Sequence, residues 1–383
     1  MSKSKIYKFS AASLLILIAV GTSVYLMLPN RHKAIIKTTA FHKLRLLDPE
    51  WDIEKSDNLF VMASPTFLID GIYKSMEGPK SSRYVQLSQD SSLIWLTGFS
   101  VKAVDGETRE PISNDFVCHM NVDFNDAAYF GNFGLQDRIG KQYPRMTSLS
   151  HGMEHFGFPD GYGVPMKGND LLFITTQTLN HNLPDASLKV KHEINIAYTE
   201  KKLKPLMSRT AFIMLPYDKR HPYKEPTDPA SNQCIPVETK NHSYDDGEGN
   251  VMSGHWVIPT GKRTYRSNVD SQLQIKDSLR LHAAAIHVHP FATSIMLFDK
   301  TANKPVFTSR IENHKNTTGL DNIEAFSSEE GIWLYANHEY EIVLDVNNTS
   351  GEPQDMMGSM FLFFYDQELD QKLSDNLLTA IGK

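Results

Sequence analysis

The body of this chain consists of short apolar runs separated by turn residues, and this spacing constrains its fold more than any other feature. Residues 92–99, 116–124 and 171–179 each have the length of a strand. Residues 192–198 alternate polar and apolar side chains, as a half-buried strand does. Few segments have the period of a long amphipathic helix. The pattern therefore predicts an all-β fold built from β-sandwiches.

Changes in composition divide the chain of 383 residues into an N-terminal segment and two halves. The sequence Lys201-Lys202-Leu203-Lys204-Pro205 is interpreted as the joint between two β-sandwich domains in tandem. A polar stretch at 217–254, rich in Pro, Asp, Asn and Gly, is interpreted as a surface loop or a locally disordered insertion. The predicted units are a basic tail at 1–8, an apolar run at 9–28, a stalk at 29–55, sandwiches at 56–204 and 205–370, and a tail at 371–383.

The N-terminal segment has the features of a signal anchor. Lys3, Lys5 and Lys8 precede the apolar run at 9–28, which is about as long as a bilayer-spanning helix. The run ends in Leu28-Pro29-Asn30-Arg31 without a small-x-small cleavage site, which favours an uncleaved anchor over a removed signal peptide. The segment thus predicts a single-pass membrane protein whose body lies on the extracytoplasmic side, periplasmic or extracellular.

Composition and missing motifs exclude several classes of function. The net charge of −6 and the lack of a basic block argue against a nucleic-acid partner. The sequence has no Gly-rich phosphate loop, no HExxH and no Gly-x-Ser-x-Gly elbow. Its two cysteines, Cys118 and Cys234, form neither a disulfide framework nor a zinc site, although one bridge is feasible in an oxidising compartment.

The pattern His287-Val288-His289 is the strongest chemical signal in the sequence. On a strand the two histidines project to one face, because side chains alternate with period 2. The methionines at 356, 357 and 360 follow downstream, before the aromatic run at 361–365. Two imidazoles and a thioether suit copper, since the soft sulfur favours the reduced ion. Half-buried histidines and core methionines produce the same pattern, so the residues alone leave both interpretations open.

Five landmarks in a fixed order carry a resemblance to a known family. They are Cys118-His119-Met120, Gly161-Tyr162-Gly163-Val164-Pro165, Ile258-Pro259-Thr260-Gly261-Lys262, His287-Val288-His289 and Asp355-Met356-Met357. Over residues 60–370 the chain resembles the copper type II, ascorbate-dependent monooxygenases, which include the peptidylglycine hydroxylating and dopamine β-monooxygenases. The resemblance implies two jelly-roll-like β-sandwiches, each carrying one copper beside a solvent-filled cleft. It also implies an oxygen-activating copper on His287, His289 and Met357, with Met356 and Met360 as alternatives and a coordination position open to dioxygen.

The first half departs from the family pattern. The family's electron-transfer copper uses a His-His pair, whereas this sequence has Cys118-His119, so Cys118 is a thiolate ligand, a partner of Cys234 or a buried small residue. The third ligand position falls on Leu179, and His181 replaces it only after a register shift. His151 and His155 are further candidates if their segment is helical.

The substrate side departs as well. The arginine with which peptide-amidating members hold a substrate carboxylate corresponds to Ala285, and their substrate tyrosine corresponds to Phe361. Losing a charge-assisted contact costs about 1.5–3 kcal/mol, which argues against a glycine-extended peptide as substrate.

Three functions follow from these residues. The first is a membrane-anchored copper monooxygenase that hydroxylates a C–H bond of a small-molecule substrate, using dioxygen and an external one-electron reductant such as ascorbate. The second is a non-catalytic protein that holds one copper in its C-terminal domain. The third is a metal-free scaffold of the same fold.

Overall fold

The computed structural model describes residues 3–56, 58–216, 243–245 and 251–381. Cys234 and most of the predicted insertion at 217–254 lie outside these residues. Five α-helices occur within the described ranges: α1 Lys3–Met27, α2 Asn30–Lys43, α3 Asp126–Asn132, α4 Asp270–Leu273 and α5 Gln367–Ile381. Short 3₁₀ turns lie at Asn114–Phe116 and Gln136–Arg138.

The prediction of a membrane anchor at residues 9–28 is wrong. In the ranges that the structure describes, no helix has both the length and the apolarity needed to cross a bilayer. Gly21, Thr22 and Ser23 interrupt the apolar run in the second half of α1. The assignment to a single-pass membrane protein with an extracytoplasmic body is therefore corrected.

Strands make up most of the remaining chain, which confirms the all-β prediction. The strands of the first half are β1 Asp52–Ser56, β2 Leu59–Ala63, β3 Phe67–Ile69, β4 Lys80–Val85, β5 Leu93–Asp105, β6 Val117–Phe124, β7 Arg145–Leu149, β8 His155–Gly157, β9 Tyr162–Lys167, β10 Leu172–Thr178 and β11 Leu188–Thr199. Those of the second half are β12 Lys204–Phe212, β13 Leu215–Pro216, β14 Ser243–Asp245, β15 Val251–Ser253, β16 Trp256–Ile258, β17 Gly261–Asn268, β18 Leu279–Val288, β19 Ala292–Asp299, β20 Lys304–Asn313, β21 Leu320–Ile323, β22 Phe326–Leu334, β23 Tyr340–Asn348, β24 Gln354–Met356 and β25 Gly358–Tyr365.

One eleven-stranded sheet runs through both halves, in the order β1-β2-β11-β5-β9-β12-β25-β18-β22, with β3 on β11 and β8 on β5. The halves join where β9 and β12 pair in parallel, Tyr162 opposite Lys204 and Gly163 opposite Pro205. The segment predicted as an interdomain joint thus leads directly into a shared sheet. Two separate tandem domains are not confirmed.

Smaller sheets cover the large one and give it a sandwich-like form. The sheet β4-β10-β6-β7 packs on the first half, where buried His192 of β11 contacts Thr176 of β10. The sheet β17-β23-β19-β20-β21 covers the second half. There a Cβ on Gly358 of β25 would lie 3.4 Å from Leu344 and 3.5 Å from Ile295, which is ordinary packing distance between sheets.

Aromatic contacts join the two halves in one continuous core. Phe156 of β8 stacks on Phe363 of β25 with ring centroids 5.5 Å apart, and Phe158 approaches the same ring at 4.6 Å. Such pairs contribute about 0.5–1.5 kcal/mol each beyond their burial. In the same region β7 packs against β12, β18 and β25, which brings β6 of the first half close to the histidines of β18.

Candidate metal centre

The two histidines of the His-x-His pattern lie at the end of β18. His287 is paired with Ser359 of β25, and the strand ends at Val288, so that His289 follows directly. Both side chains are buried, and their ring centroids lie 5.6 Å apart at an interplanar angle of 89°. The predicted adjacency of the two imidazoles is therefore present.

Asp355 of β24 and Met357, the residue between β24 and β25, lie next to these histidines. Gly358 pairs with Val288, which places Met357 beside the end of β18. Oδ2 of Asp355 lies 2.7 Å from Nδ1 of His289. Burial raises the pKa of the Asp355 carboxyl, but the nearby His289 outweighs this effect and the net pKa is lowered. The carboxylate thus fixes the orientation of the His289 ring, as carboxylates commonly do for metal-binding histidines.

His119 of β6 meets His287 from the opposite half of the molecule. Their ring centroids lie 6.2 Å apart at 79°, and His119 is buried. Within the described residues, Nδ1 of His119 has no hydrogen-bond partner. Burial, and then the charges of His287 and Arg145, lower the pKa of His119 well below its usual value. The imidazole is therefore neutral and carries a lone pair that can bind a metal.

Two cavities divide the six residues that the sequence predicted as ligands. We call the first the cleft: it is open, has a volume of about 330 Å³, and is lined by His119, His287 and Met357. We call the second the inner cavity: it holds only about 20 Å³ and is lined by Cys118, His181 and His289. Each set mixes residues of both halves. The structure thus brings all six predicted ligands to the junction of the two halves. There they are divided between two cavities, and each cavity contains residues of both halves.

The residues of the inner cavity are not arranged as a metal site. Burial raises the pKa of the Cys118 thiol to about 12, so the group remains protonated, and its sulfur accepts a hydrogen bond from the Met76 amide at 3.4 Å. Burial lowers the pKa of His181. Among the described residues, the ligand atoms of Cys118, His181 and His289 do not all lie within 4.8 Å of one another. A bridge from Cys118 to Cys234 lies outside the described residues.

The alternative methionines and histidines have other surroundings. Met356 and Met360 are fully buried in the core, which leaves Met357 as the methionine on the cleft. The segment that carries His151 and His155 is a turn leading into β8, not a helix. His155 is exposed, so these two histidines do not form a pair.

Sequence reasoning missed two further sets of residues. His255 lies next to His289 with ring centroids 5.4 Å apart, because β16 pairs with β24. Asp115, His151 and His314 form a compact cluster at the edge of the inner cavity, and their ligand atoms all lie within 4.8 Å of one another. Neither set has a local sequence signal, since each depends on pairing between distant segments.

The charge environment of the Asp115 cluster is opposite to that of His119. Burial lowers the pKa of His151, but hydrogen bonds to Asp115 and Glu154 more than offset this and raise it to about 9. The hydrogen bond from His151 also holds the pKa of Asp115 well below its usual range.

Comparisons with known proteins add little to these observations. No family model and no curated protein matches the chain. A solved structure of PNGase F, a glycosylasparaginase from Flavobacterium meningosepticum, is 9% identical with a TM-score of 0.35, over 81% of this chain and 96% of that chain. Naturally occurring empty particles of cowpea mosaic virus match at 9% identity and a TM-score of 0.32, over 78% and 90%. The major capsid protein P2 of bacteriophage PM2 matches at 11% and 0.25, over 80% and 99%. Likeness at this level does not bear on function.

Proposed function

We propose that this protein binds one copper ion at the cleft through His119, His287 and Met357. The observation that carries the proposal is that two buried imidazoles, one from each half, open with a thioether onto the same cavity. This donor set suits copper in both oxidation states, and three ligands leave a position that faces the cleft. We also propose that the two halves of the fold are jelly-roll-like sandwiches, as the family resemblance implies.

The surroundings of the ligands support a metal at this place. An unsatisfied buried nitrogen costs about 1–3 kcal/mol, and a bound ion would supply the missing partner of His119 Nδ1. Imidazoles whose nitrogens lie about 2.0–2.1 Å from a shared metal have ring centroids at most roughly 6.4 Å apart. The separations of 6.2 Å for His119–His287 and 5.6 Å for His287–His289 fall within this limit. His289, held by Asp355, is the alternative second imidazole, as the family resemblance implies.

Copper stoichiometry of the purified full chain tests the proposal. We expect one copper per chain by elemental analysis, and its loss in His287→Ala. If copper is lost in His119→Ala but kept in His289→Ala, the second imidazole ligand is His119. The reverse pattern identifies His289, the residue that the family resemblance implies.

Matched variants separate the ligand role from packing. Met357→Leu is expected to weaken retention of the reduced ion about tenfold, which corresponds to about 1.4 kcal/mol. Met360→Leu in the core and His155→Ala on the surface are the controls, and both should retain the parent's copper. A parent protein that binds no copper overturns the proposal and leaves a metal-free scaffold.

A copper monooxygenase is the second candidate, and the cleft favours it. Its volume of about 330 Å³ is that of a small-molecule pocket, and Lys80, Arg145 and Gln177 line it with polar groups. Hydroxylating a C–H bond with dioxygen consumes two electrons and two protons and releases water. Since Cys118 and His181 are not arranged around a second metal, an external small-molecule reductant such as ascorbate would deliver both electrons.

Oxygen uptake tests this candidate separately. Copper-loaded protein with ascorbate should consume oxygen faster in the presence of a substrate panel, and the rate should return to background in His287→Ala. Equal rates in the parent and in the variant exclude the monooxygenase and leave copper binding without turnover.

A further inference from the structure

Asp115, His151 and His314 converge on one point at the edge of the inner cavity. Oδ1 of Asp115 lies 2.8 Å from Nε2 of His151 and 2.9 Å from Nε2 of His314. The two Nε2 atoms are themselves 3.1 Å apart. We call these three residues the triad. Two of its members come from the first half and His314 from the second, so the triad also bridges the junction.

The hydrogen bonds around the triad make a shared cation chemically reasonable. Nδ1 of His151 lies 2.8 Å from Oε1 of Glu154, which also accepts the Gly152 amide at 3.0 Å. A carboxylate only accepts hydrogen bonds, so Nδ1 carries the proton, and in the neutral ring Nε2 is then a bare acceptor. That acceptor faces the Asp115 oxygen. Two acceptors at this distance need a proton or a metal ion between them.

The separations match one coordination geometry well. With metal–ligand bonds of about 2.0–2.1 Å, ligand atoms 2.8–3.1 Å apart subtend angles of roughly 85–100° at the ion. Three ligands at such angles occupy one face of an octahedron, which is the arrangement of two-histidine, one-carboxylate sites with open positions. His314 also lines an open groove of about 750 Å³.

Close packing of the backbone holds the triad in place. A Cβ on Gly319 would lie 2.5 Å from the His314 ring and 3.2 Å from Oδ1 of Asp115, so only glycine lets these groups approach. The Gly319 carbonyl accepts the backbone N–H of His314 at 3.0 Å. Glu154 behind His151 is the outer carboxylate that metal-binding histidines usually have. Gly319 and Glu154 thus hold the three side chains of the triad in position.

From these contacts we propose that the triad binds a divalent first-row transition metal ion, separately from the copper site at the cleft. Asp115, His151 and His314 are the ligands, Glu154 orients His151, and Gly319 leaves room for His314. The bound ion ties the β6 and β7 ends of the first half to the β20–β21 connection of the second.

Zinc titration of chelator-treated protein tests the proposal. We use the double variant His287→Ala/Met357→Leu as the parent, which removes two of the three proposed copper ligands from the cleft. Isothermal titration with Zn²⁺ should give one equivalent, which disappears when Asp115→Asn or His314→Ala is added. Glu154→Gln should weaken binding about 10–100-fold while keeping the stoichiometry.

Two further measurements guard against loss of folding and adventitious binding. Circular dichroism must give the same β-sheet signal for each variant, and Gly319→Ala, which removes no ligand, should also reduce the affinity. His155→Ala should bind zinc like the parent. An equivalent that survives both Asp115→Asn and His314→Ala, or no zinc binding by the parent, overturns the proposal. Either result is independent of copper binding at the cleft.

Discussion

His119 and His151 both lie near the junction of the two halves, yet their surroundings drive their charge in opposite directions. His119 is enclosed by histidines and a cationic arginine, and burial lowers its pKa well below the usual value. His151 lies between two carboxylates, which raise its pKa to about 9 despite burial. The neighbours, not the residue type, thus decide whether an imidazole is presented as a neutral ligand or holds a proton. A metal would therefore bind His119 without displacing a proton, and His151 only by displacing one.

Removing Asp355 should have the largest effect, since Asp355 is the carboxylate that orients buried His289 beside the cleft histidine His287. Asp355→Asn removes the carboxylate that lies 2.7 Å from Nδ1 of buried His289, and weakening a buried hydrogen bond to a charged acceptor costs about 3 kcal/mol of unfolding free energy. Urea unfolding at pH 7 measures the loss. His289→Gln in the same background should restore part of it. Unchanged stability of Asp355→Asn would mean that the pair is not formed.

Acid should destabilise the protein, because buried neutral histidines must be protonated. His192 is the residue with which this effect can be tested. Its pKa is lowered to about 4 by burial, below the unfolded value of about 6.5. The unfolded state therefore binds more protons between these values, so stability present above pH 6.5 is lost as the pH falls towards 4. The loss should reach about 3 kcal/mol. Urea unfolding of His192→Gln across this window should give a flatter profile, and a profile parallel to the parent's would contradict the argument.

For the triad, a rise in pH should lower the stability of the protein, whereas for His192 a fall in pH does so. In metal-free protein the folded pKa of His151, about 9, exceeds the unfolded value of about 6.5. This contribution is complete below pH 6.5 and is lost as the pH rises through 9. After allowance for partial exposure it amounts to about 2 kcal/mol. Melting temperatures from pH 6 to 10 should fall in the parent and remain flatter in Asp115→Asn, with His155→Ala as the control that follows the parent.

Cys118 should show the smallest effect. A thiol whose pKa is raised to about 12 stays protonated and buried, so it should not react with a disulfide reagent in native protein at pH 8. A Cys234→Ser background isolates its signal. Cys118→Ala should cost about 1 kcal/mol, as removing a small buried group does. Rapid labelling of native protein would indicate a thiolate that belongs with the metal ligands.

The sequence predicted the strands and the adjacency of His287 and His289, because these features depend on period-2 alternation. It did not predict the meeting of His119 and His287, since contact between β6 and β18 depends on how two sheets pack. The triad could not be predicted for the same reason, because Asp115 and His314 are separated by 199 positions and lie on turns. The membrane anchor was predicted from an apolar run, the lysines before it and the lack of a cleavage site after it, and no helix in the described ranges bears it out. The two tandem domains were predicted from composition, which does not reveal that β9 and β12 share a sheet.

The position of β25 has a consequence for the newly made chain. This strand lies between β12 and β18, and both of them precede it in the sequence. During synthesis the edges of β12 and β18 therefore stay unpaired until residues 358–365 leave the ribosome. Unpaired edges invite association with other chains, so a chaperone or a fast ribosome would favour the yield of folded protein. Met357 emerges directly before β25, so a partly made chain lacks the thioether proposed to bind copper until the last strand of the large sheet is ready to insert.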